Sequence, residues 1–302
     1  MSSKKNESSL QTNRRGLLGA GAMLAVGSLA LSARRSSAAE AAAFDPSFEG
    51  FILNDKIQDD SLVRIQQAGV LRVGISDDPP YSFVDQSTGQ YSGIEADIVQ
   101  YIMKMLKIPQ YKVDTVSFDG LIPGLLASRY DIIGDSMHYT AQRAKVVDFS
   151  FPTYFYAEWL MVPKGSPQEG ATSIDSLGGR TIGSQLGNDY SEWLKATPGV
   201  VYKGYKMPED MINDLRAGRI DGIIFDLPIL AVLAKKHPEY GLVLAPNYKP
   251  RTFKNPAHYS RHIFRKEDVQ FREAWSRALQ WMQMNGKISE ILDRYGLAEY
   301  SN

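Results

Sequence analysis

An α/β protein built of two lobes is predicted from three observations. Two stretches are variations on one unit: Leu125-Leu126-Ala127-Ser128-Arg129-Tyr130-Asp131 runs into Ile132-Ile133, and Leu215-Arg216-Ala217-Gly218-Arg219-Ile220-Asp221 runs into Ile223-Ile224. Each reads as a helix end, a tight turn and a short buried strand. Arg72-Val73-Gly74 and Arg180-Thr181-Ile182-Gly183 look alike, each as a strand opening an α/β layer. The length of 302 residues, 43% of them hydrophobic, suits two such lobes with a sizeable core. In register, Ser136 and Asp226 fall at equivalent strand ends. Open α/β sheets hold ligands at such ends, so a small-molecule cleft between the lobes is expected.

The N-terminus reads as an export signal over residues 1–43. A basic opening leads to Asn13-Arg14-Arg15-Gly16-Leu17-Leu18, a weakly hydrophobic run rich in Gly and Ala to Leu31, and small residues around Ala38 to Ala43. The paired arginines resemble a twin-arginine signal, with cleavage expected near Ala39 or Ala43. The apolar run is about 15 residues against the roughly 20 that span a bilayer, so an uncleaved anchor is the weaker alternative. The Gly16, Gly19 and Gly21 cluster has no strand before it and is not read as a nucleotide loop. Six basic residues against Glu7 put about +5 on residues 1–39 and leave about −5 on the rest, which argues against a nucleic-acid partner. There are no cysteines, hence no disulfide, thiolate metal site or cysteine nucleophile.

After a polar lead over 44–67, from which an amphipathic helix from Leu62 to Ala68 delivers the chain into the core, the first lobe takes residues 68–155. It holds the strand from Leu71 to Ile75, a turn at Ser87-Thr88-Gly89, and a helix whose Ile94, Ile98, Ile102 and Met105 recur at helical spacing. The first repeated unit follows, then a helix expected to begin near Thr140 and an extended Val146 to Ser150. The second lobe takes 156–250. Pro246, Pro250 and Pro256 mark a stiff return crossing, and residues 251–302, with two amphipathic helices, rejoin the first lobe. Two crossings make a hinge possible.

Together these residues resemble the extracytoplasmic amino-acid-binding proteins that serve ABC importers, family 3, with the two-lobed type II periplasmic-binding-protein fold. The resemblance runs from about Leu71 to Gly296. It is carried by Leu71-Arg72-Val73-Gly74, Phe118-Asp119-Gly120-Leu121-Ile122-Pro123, Thr140-Ala141-Gln142-Arg143 with Val147-Asp148-Phe149-Ser150, Ala217-Gly218-Arg219-Ile220-Asp221 through Asp226, and Asn285-Gly286-Lys287 to Tyr295-Gly296. It implies a periplasmic monomer that captures a small molecule by lobe closure and hands it to a membrane permease, without chemistry. By position it implies that Arg143 grips an α-carboxylate, for which a guanidinium offers two parallel donors. It further implies that Ser136 and Met137 approach the same group near a helix start, that Asp226 takes the α-ammonium, and that Phe118 forms an aromatic wall. Asp226 before Leu227-Pro228 also suits a helix N-cap.

The departures from the family pattern bear on the ligand. Asp77-Asp78 stand where an aromatic lid is common, leaving Tyr81 as substitute; His138 replaces a small hydroxyl residue; and in Gln185-Leu186-Gly187-Asn188-Asp189 an acid stands where threonine is common. Asp78, Asp135, Asp189 and Asp226 bordering one cleft would call for a compensating cation. The expected ligand is therefore a basic amino acid or related amine, held by Asp78, Tyr81, Phe118, Ser136, Met137, His138, Arg143, Asn188, Asp189 and Asp226. A neutral polar amino acid is the alternative if some carboxylates cap helices or face outward. No cofactor and no metal are expected: His258 and His262 lie in a segment read as extended, where four residues span about 13 Å, too far to share an ion. The rival functions are a lyase-like enzyme using His138 as general base, disfavoured by the lack of a nucleophile elbow, and a soluble sensor docking on a receptor.

Overall fold

The computed structural model describes residues 57–252 and 255–297. The expected export signal and the first part of the lead lie outside the described residues. Helix α1 (Ser61–Ala68) buries Leu62 and Ile65 and ends where Gly69 turns left-handed at φ 67°. Strand β1 (Val70–Ile75) follows, then a hairpin of β2 (Phe83–Val84) and β3 (Tyr91–Ser92). At its tip the Asp85 carboxylate accepts the backbone N–H groups of Ser87 and Thr88, each at 2.9 Å. Helix α2 (Ile94–Met105) buries Ile94, Ile98, Ile102 and Met105, the stripe expected from the spacing. The chain continues through β4 (Gln110–Thr115), α3 (Leu121–Leu126), β5 (Ile132–Met137) and β6 (Asp148–Phe149).

No α-helix forms near Thr140. Thr140 Oγ1 accepts from Arg143 N at 3.1 Å, its carbonyl accepts from Ala144 N at 3.0 Å, and the result is one 3-10 turn over Arg143–Lys145. Val147, fully buried, then pulls the chain into the core. The expected helix start near Ser136 and Met137 is therefore absent, and both residues lie within β5.

The chain crosses into β7 (Glu158–Pro163), β8 (Thr181–Gln185), α4 (Asp189–Ala196), β9 (Val201–Tyr205), α5 (Pro208–Arg216), β10 (Gly222–Asp226), α6 (Leu227–Lys236) and β11 (Leu242–Leu244). It then returns to β12 (Arg261–Phe264), α7 (Val269–Met284) and α8 (Lys287–Arg294). Two five-stranded sheets result, in the orders β4-β1-β5-β12-β6 and β11-β7-β10-β8-β9. Each has three parallel strands, β4-β1-β5 or β9-β8-β10, then a fourth that runs antiparallel to them and a fifth antiparallel to the fourth. The lobes are thus two copies of one plan, and the carboxyl ends of β1, β5, β8 and β10 are the places where such sheets bind ligands.

The crossings pair with one another: Thr153 N donates to Ser260 O at 2.9 Å, Ser260 N to Tyr154 O at 2.8 Å, and Phe155 bridges Tyr259. Glu95 of α2 ties both to the first lobe, accepting from Tyr154 Oη at 2.8 Å and Ser260 Oγ at 2.6 Å. Trp275 Nε1 donates to His262 Nδ1 at 2.9 Å, which places the ring proton on Nε2, 2.9 Å from Glu95 Oε2. His262 is a core residue, edge-on to Trp275, which itself packs edge-on to Phe264 and Phe271. Among the described residues no helix is long and apolar enough to cross a membrane.

Candidate functional site

One cavity lies between the sheets. The first lobe supplies Asp78, Tyr81, Phe118, Ser136, His138 and Arg143, and the second supplies Asn188, Asp189 and Asp226. Those are nine of the ten residues named from the sequence. The exception is Met137, whose side chain packs in the hydrophobic cluster with Leu125, Tyr130 and Ile263. It is the last residue of β5, opposite Arg261 of β12, and strand alternation puts its side chain on the opposite face from that of Ser136.

The acidic side of the cavity is built around Ser76. Its hydroxyl lies 2.6 Å from Asp78 Oδ2 and also contacts Asp135 Oδ2. A hydroxyl has a single proton, so bridging two carboxylates requires that one of them be protonated. Asp135 is the better anion, accepting Ser76 N at 2.7 Å and Ser136 N at 2.8 Å. Asp78 has, among the described residues, no partner for Oδ1, although it is only 4% exposed. Burial and the neighbouring Asp135 push Asp78 up to about 7, and burial pushes Asp135 up to about 6.

Across the cavity, Asp226 sits at the N-cap position of α6 but makes no side-chain cap bond. Its Oδ1 instead accepts from Tyr190 Oη at 2.6 Å. Burial first, and the charges of Asp189, Asp78 and Asp135 after it, raise its pKa well above the usual carboxylate range. Asn188 does the capping of its own helix: its Oδ1 accepts from Ser191 N at 2.9 Å and its Nδ2 donates to Ser184 Oγ at 3.0 Å.

Arg143 is buried and faces this group with its guanidinium 5.6 Å from the Phe118 ring centre. It donates to the carbonyls of His138 at 2.7 Å and Gly187 at 2.8 Å, the latter on the other lobe. Three further contacts cross between lobes: Gln185 Nε2 to Asp78 Oδ2 at 3.3 Å, His138 Nδ1 to Asp189 Oδ2 at 3.2 Å, and His258 Nε2 to the same Asp189 oxygen at 3.3 Å. Gly187, at φ 86°, lies so close to Asp119 that a Cβ there would stand 2.9 Å from the Asp119 Cα. The lobes are closed upon each other. Burial alone would raise Asp189, but His138, His258 and Arg143 together hold it well below the usual range. Burial holds His138 below the usual imidazole range in spite of Asp189.

This is the geometry of a binding chamber: buried ionisable groups from two lobes converge on one enclosed space. Comparison with known proteins gives the same class. Residues 71–298 match the model of the bacterial extracellular solute-binding proteins, family 3. The chain belongs to that family. The L-cystine-binding protein TcyJ of Escherichia coli K12 is 27% identical over 78% of this chain and 85% of its own length, and the arginine-binding periplasmic protein of Mannheimia haemolytica is 28% identical over 72% and 86%. Among solved structures, a mutant of the T. maritima protein ArgBP superposes with a TM-score of 0.70 at 27% identity, covering 78% of this chain and 98% of that one.

As a solute-binding protein of this family, the chain is a binder and not an enzyme, and its two-lobed α/β fold is that of its relatives. Sequence reasoning missed Tyr156, Gln185, Tyr190 and Phe225, all of which line the cavity. Gln185 and Phe225 were findable, because Gln185 ends β8 and Phe225 stands one residue from the end of β10, as Ser136 does in β5. Tyr156 carried no signal, since its place depends on the hinge. It stacks on His138 with ring centres 4.2 Å apart. The extended segment expected through both histidines holds only at His262, in β12; His258 ends a 3-10 turn, and its Nε2 lies 3.3 Å from Asp189 Oδ2.

Proposed function

We propose that this protein is the periplasmic solute-binding subunit of an ABC importer, acting as a monomer, and that its solute is a basic amino acid or a related amine. The observation that carries the ligand class is the lining of the chamber: four buried carboxyl groups, Asp78, Asp135, Asp189 and Asp226, share it with one buried guanidinium, and the protons that burial keeps on this set are what a cationic solute would replace. A cationic solute offsets that excess where water cannot. Relatives named for arginine and histidine binding agree with a cationic solute, and one named for cystine keeps a neutral one within the test.

In this reading Arg143 holds the α-carboxylate and Asp226 the α-ammonium. The unpartnered oxygen of Asp78 receives the side-chain cation, with Tyr81 and Phe118 as walls and Ser136 and His138 as polar contacts. Asn188 shapes the loop that delivers Asp189. Closure brings residues 156–250 onto 68–155 and 251–302, and the closed form is what a permease would recognise, a population shift toward the state the solute prefers. Residues 1–43 direct export by the twin-arginine route and 44–67 lead into the first lobe.

The test is the melting temperature of the purified protein against basic, neutral and acidic amino acids, cystine and polyamines. A true solute at a hundred times its Kd adds about 2.7 kcal/mol. A response to cationic compounds that Arg143→Ala abolishes is expected. A response confined to neutral or acidic compounds overturns the ligand class, and unchanged affinity in the variant overturns the role of Arg143.

A further inference from the structure

His138, Asp189 and His258 come from three separate parts of the chain. His138 follows β5 in the first lobe, Asp189 opens α4 in the second, and His258 ends a 3-10 turn on the return crossing. All three are buried. Both imidazoles address the same oxygen, Asp189 Oδ2, with His138 Nδ1 at 3.2 Å and His258 Nε2 at 3.3 Å. The rings are perpendicular with centres 4.9 Å apart, so they approach from different directions. One ligand atom from each residue can be chosen so that all three lie within 4.8 Å of one another.

These separations have a second chemical meaning. Ligand atoms at about 2.0–2.1 Å from a tetrahedral ion stand roughly 3.3 Å apart, which is the spacing of each imidazole nitrogen from Asp189 Oδ2. With neutral rings, donation to Asp189 leaves the other nitrogen of each ring as an acceptor, and neither His138 Nε2 nor His258 Nδ1 has a hydrogen-bond partner among the described residues. Exchange of tautomer turns a lone pair of each ring toward Asp189 Oδ2, and a small turn of the rings off that oxygen lets both lone pairs and the carboxylate converge on an ion about 2 Å from each. Arg143 opposes a cation here, but its guanidinium is bonded to the carbonyls of His138 and Gly187. Asp189 favours one directly, and Asp78, Asp135 and Asp226 favour one by giving up the protons that burial keeps on them.

We propose that His138, Asp189 and His258 form a binding site for one divalent transition-metal ion, of the Zn²⁺, Ni²⁺ or Cu²⁺ type, that ties the two lobes together. Two imidazoles and one carboxylate suit these ions and not Mg²⁺ or Ca²⁺, which take oxygen ligands. Three protein ligands leave a position for water or for a donor of the solute, and His138 and Asp189 already line the solute chamber. Because Asp189 belongs to the other lobe, an ion bound here stabilises the closed form with no solute present.

The test uses the full protein, stripped by chelator and titrated calorimetrically with Zn²⁺ and Ni²⁺ in the absence of any solute. Co²⁺ serves as an absorption probe of coordination. One ion per chain is expected. Its affinity should fall at least about 100-fold in His258→Ala and in His138→Ala, beyond the loss typical of an outer-shell partner. His237→Ala, which removes an exposed imidazole paired with Glu239, should bind as the parent does. Should either alanine variant fail to fold, His258→Gln and His138→Gln replace them. No binding by the parent protein, or binding unchanged in both site variants, overturns the proposal. Since the titration contains no solute, its result is independent of the ligand class argued above.

Discussion

The two helix–turn–strand units are built with the same hydrogen bonds and put to different uses. Arg129 N donates to Gly124 O at 3.0 Å and Arg219 N to Asp214 O at 2.9 Å. Asp131 N and Asp221 N each donate at 2.8 Å to the neighbouring parallel strand, at Arg72 O and Thr181 O. Each aspartate then accepts the backbone N–H of the same residue, Arg72 at 3.1 Å and Thr181 at 2.8 Å. The aspartate is therefore a clamp on the sheet in both lobes. What differs is the far end of the strand, where one unit ends in Asp135-Ser136 and the other in Asp226. The shared part makes the lobe and the differing part makes the chamber.

The clamps differ in their surroundings, which gives the largest expected effect. Asp131 also accepts from Arg72 Nε at 3.0 Å and stands 3.6 Å from the buried guanidinium of Arg265. Asp131→Ala would leave Arg265 with less of its compensating charge and should cost about 3 kcal/mol. Asp221→Ala loses a backbone bond at a half-buried position and should cost about 1 kcal/mol. Urea unfolding of both variants, at unchanged slope, checks the ratio. Equal losses would mean that the ion pairs around Asp131 add nothing to the clamp.

The strand ends differ in titration. Asp78 at about 7 and Asp135 at about 6 stand above their unfolded values near 4. The folded chain then keeps protons that the unfolded chain has released, so stability from this pair is full below about pH 4 and is lost as pH rises through about 6 to 7. Asp189, held low, works the other way, and its contribution is lost as pH falls below the unfolded value. Without added solute the melting temperature should fall between about pH 5 and pH 8, and Asp78→Asn should flatten the slope. A wild-type curve that rises over this window would show that the shared proton is not there.

Most of the fold was legible because it rests on local pattern. The Ile94, Ile98, Ile102 stripe, the repeated turn and the paired strand ends are all periodic or repeated features, and their burial follows from the sheet. The predicted helix near Thr140 failed because Thr-Ala-Gln-Arg-Ala-Lys has helical propensity but Val147 must enter the core a few residues later, a tertiary demand that propensity does not contain. The partners of His258 were illegible for a related reason. Its neighbours His138 and Asp189 meet it only once both crossings are laid down and the lobes are closed, and no spacing in the chain encodes that. Asp78, Asp189 and Asp226 were named from sequence, but which of them is protonated depends on Ser76, Tyr190 and two histidines arriving from other elements.

The smallest effect lies in the turns, where the two units use different residues for one backbone state. Ser128 and Gly218 occupy equivalent left-handed positions, at φ 58° and 68°. An L-residue there costs roughly 1–2 kcal/mol, but glycine gives back about 0.5–1 kcal/mol in the entropy of the unfolded chain. Nothing lies within 4 Å of a Cβ built at Gly218, so Gly218→Ala measures the conformational term alone and should destabilise by about 1 kcal/mol. Ser128→Gly runs the exchange in reverse and should stabilise by about 0.5 kcal/mol. The carbonyl of Ser128, which accepts from Arg72 Nη1 at 2.9 Å, is backbone and survives the change. If Ser128→Gly destabilises instead, the serine side chain contributes to the first turn something that the second turn does without, and the two units are less alike than their hydrogen bonds make them.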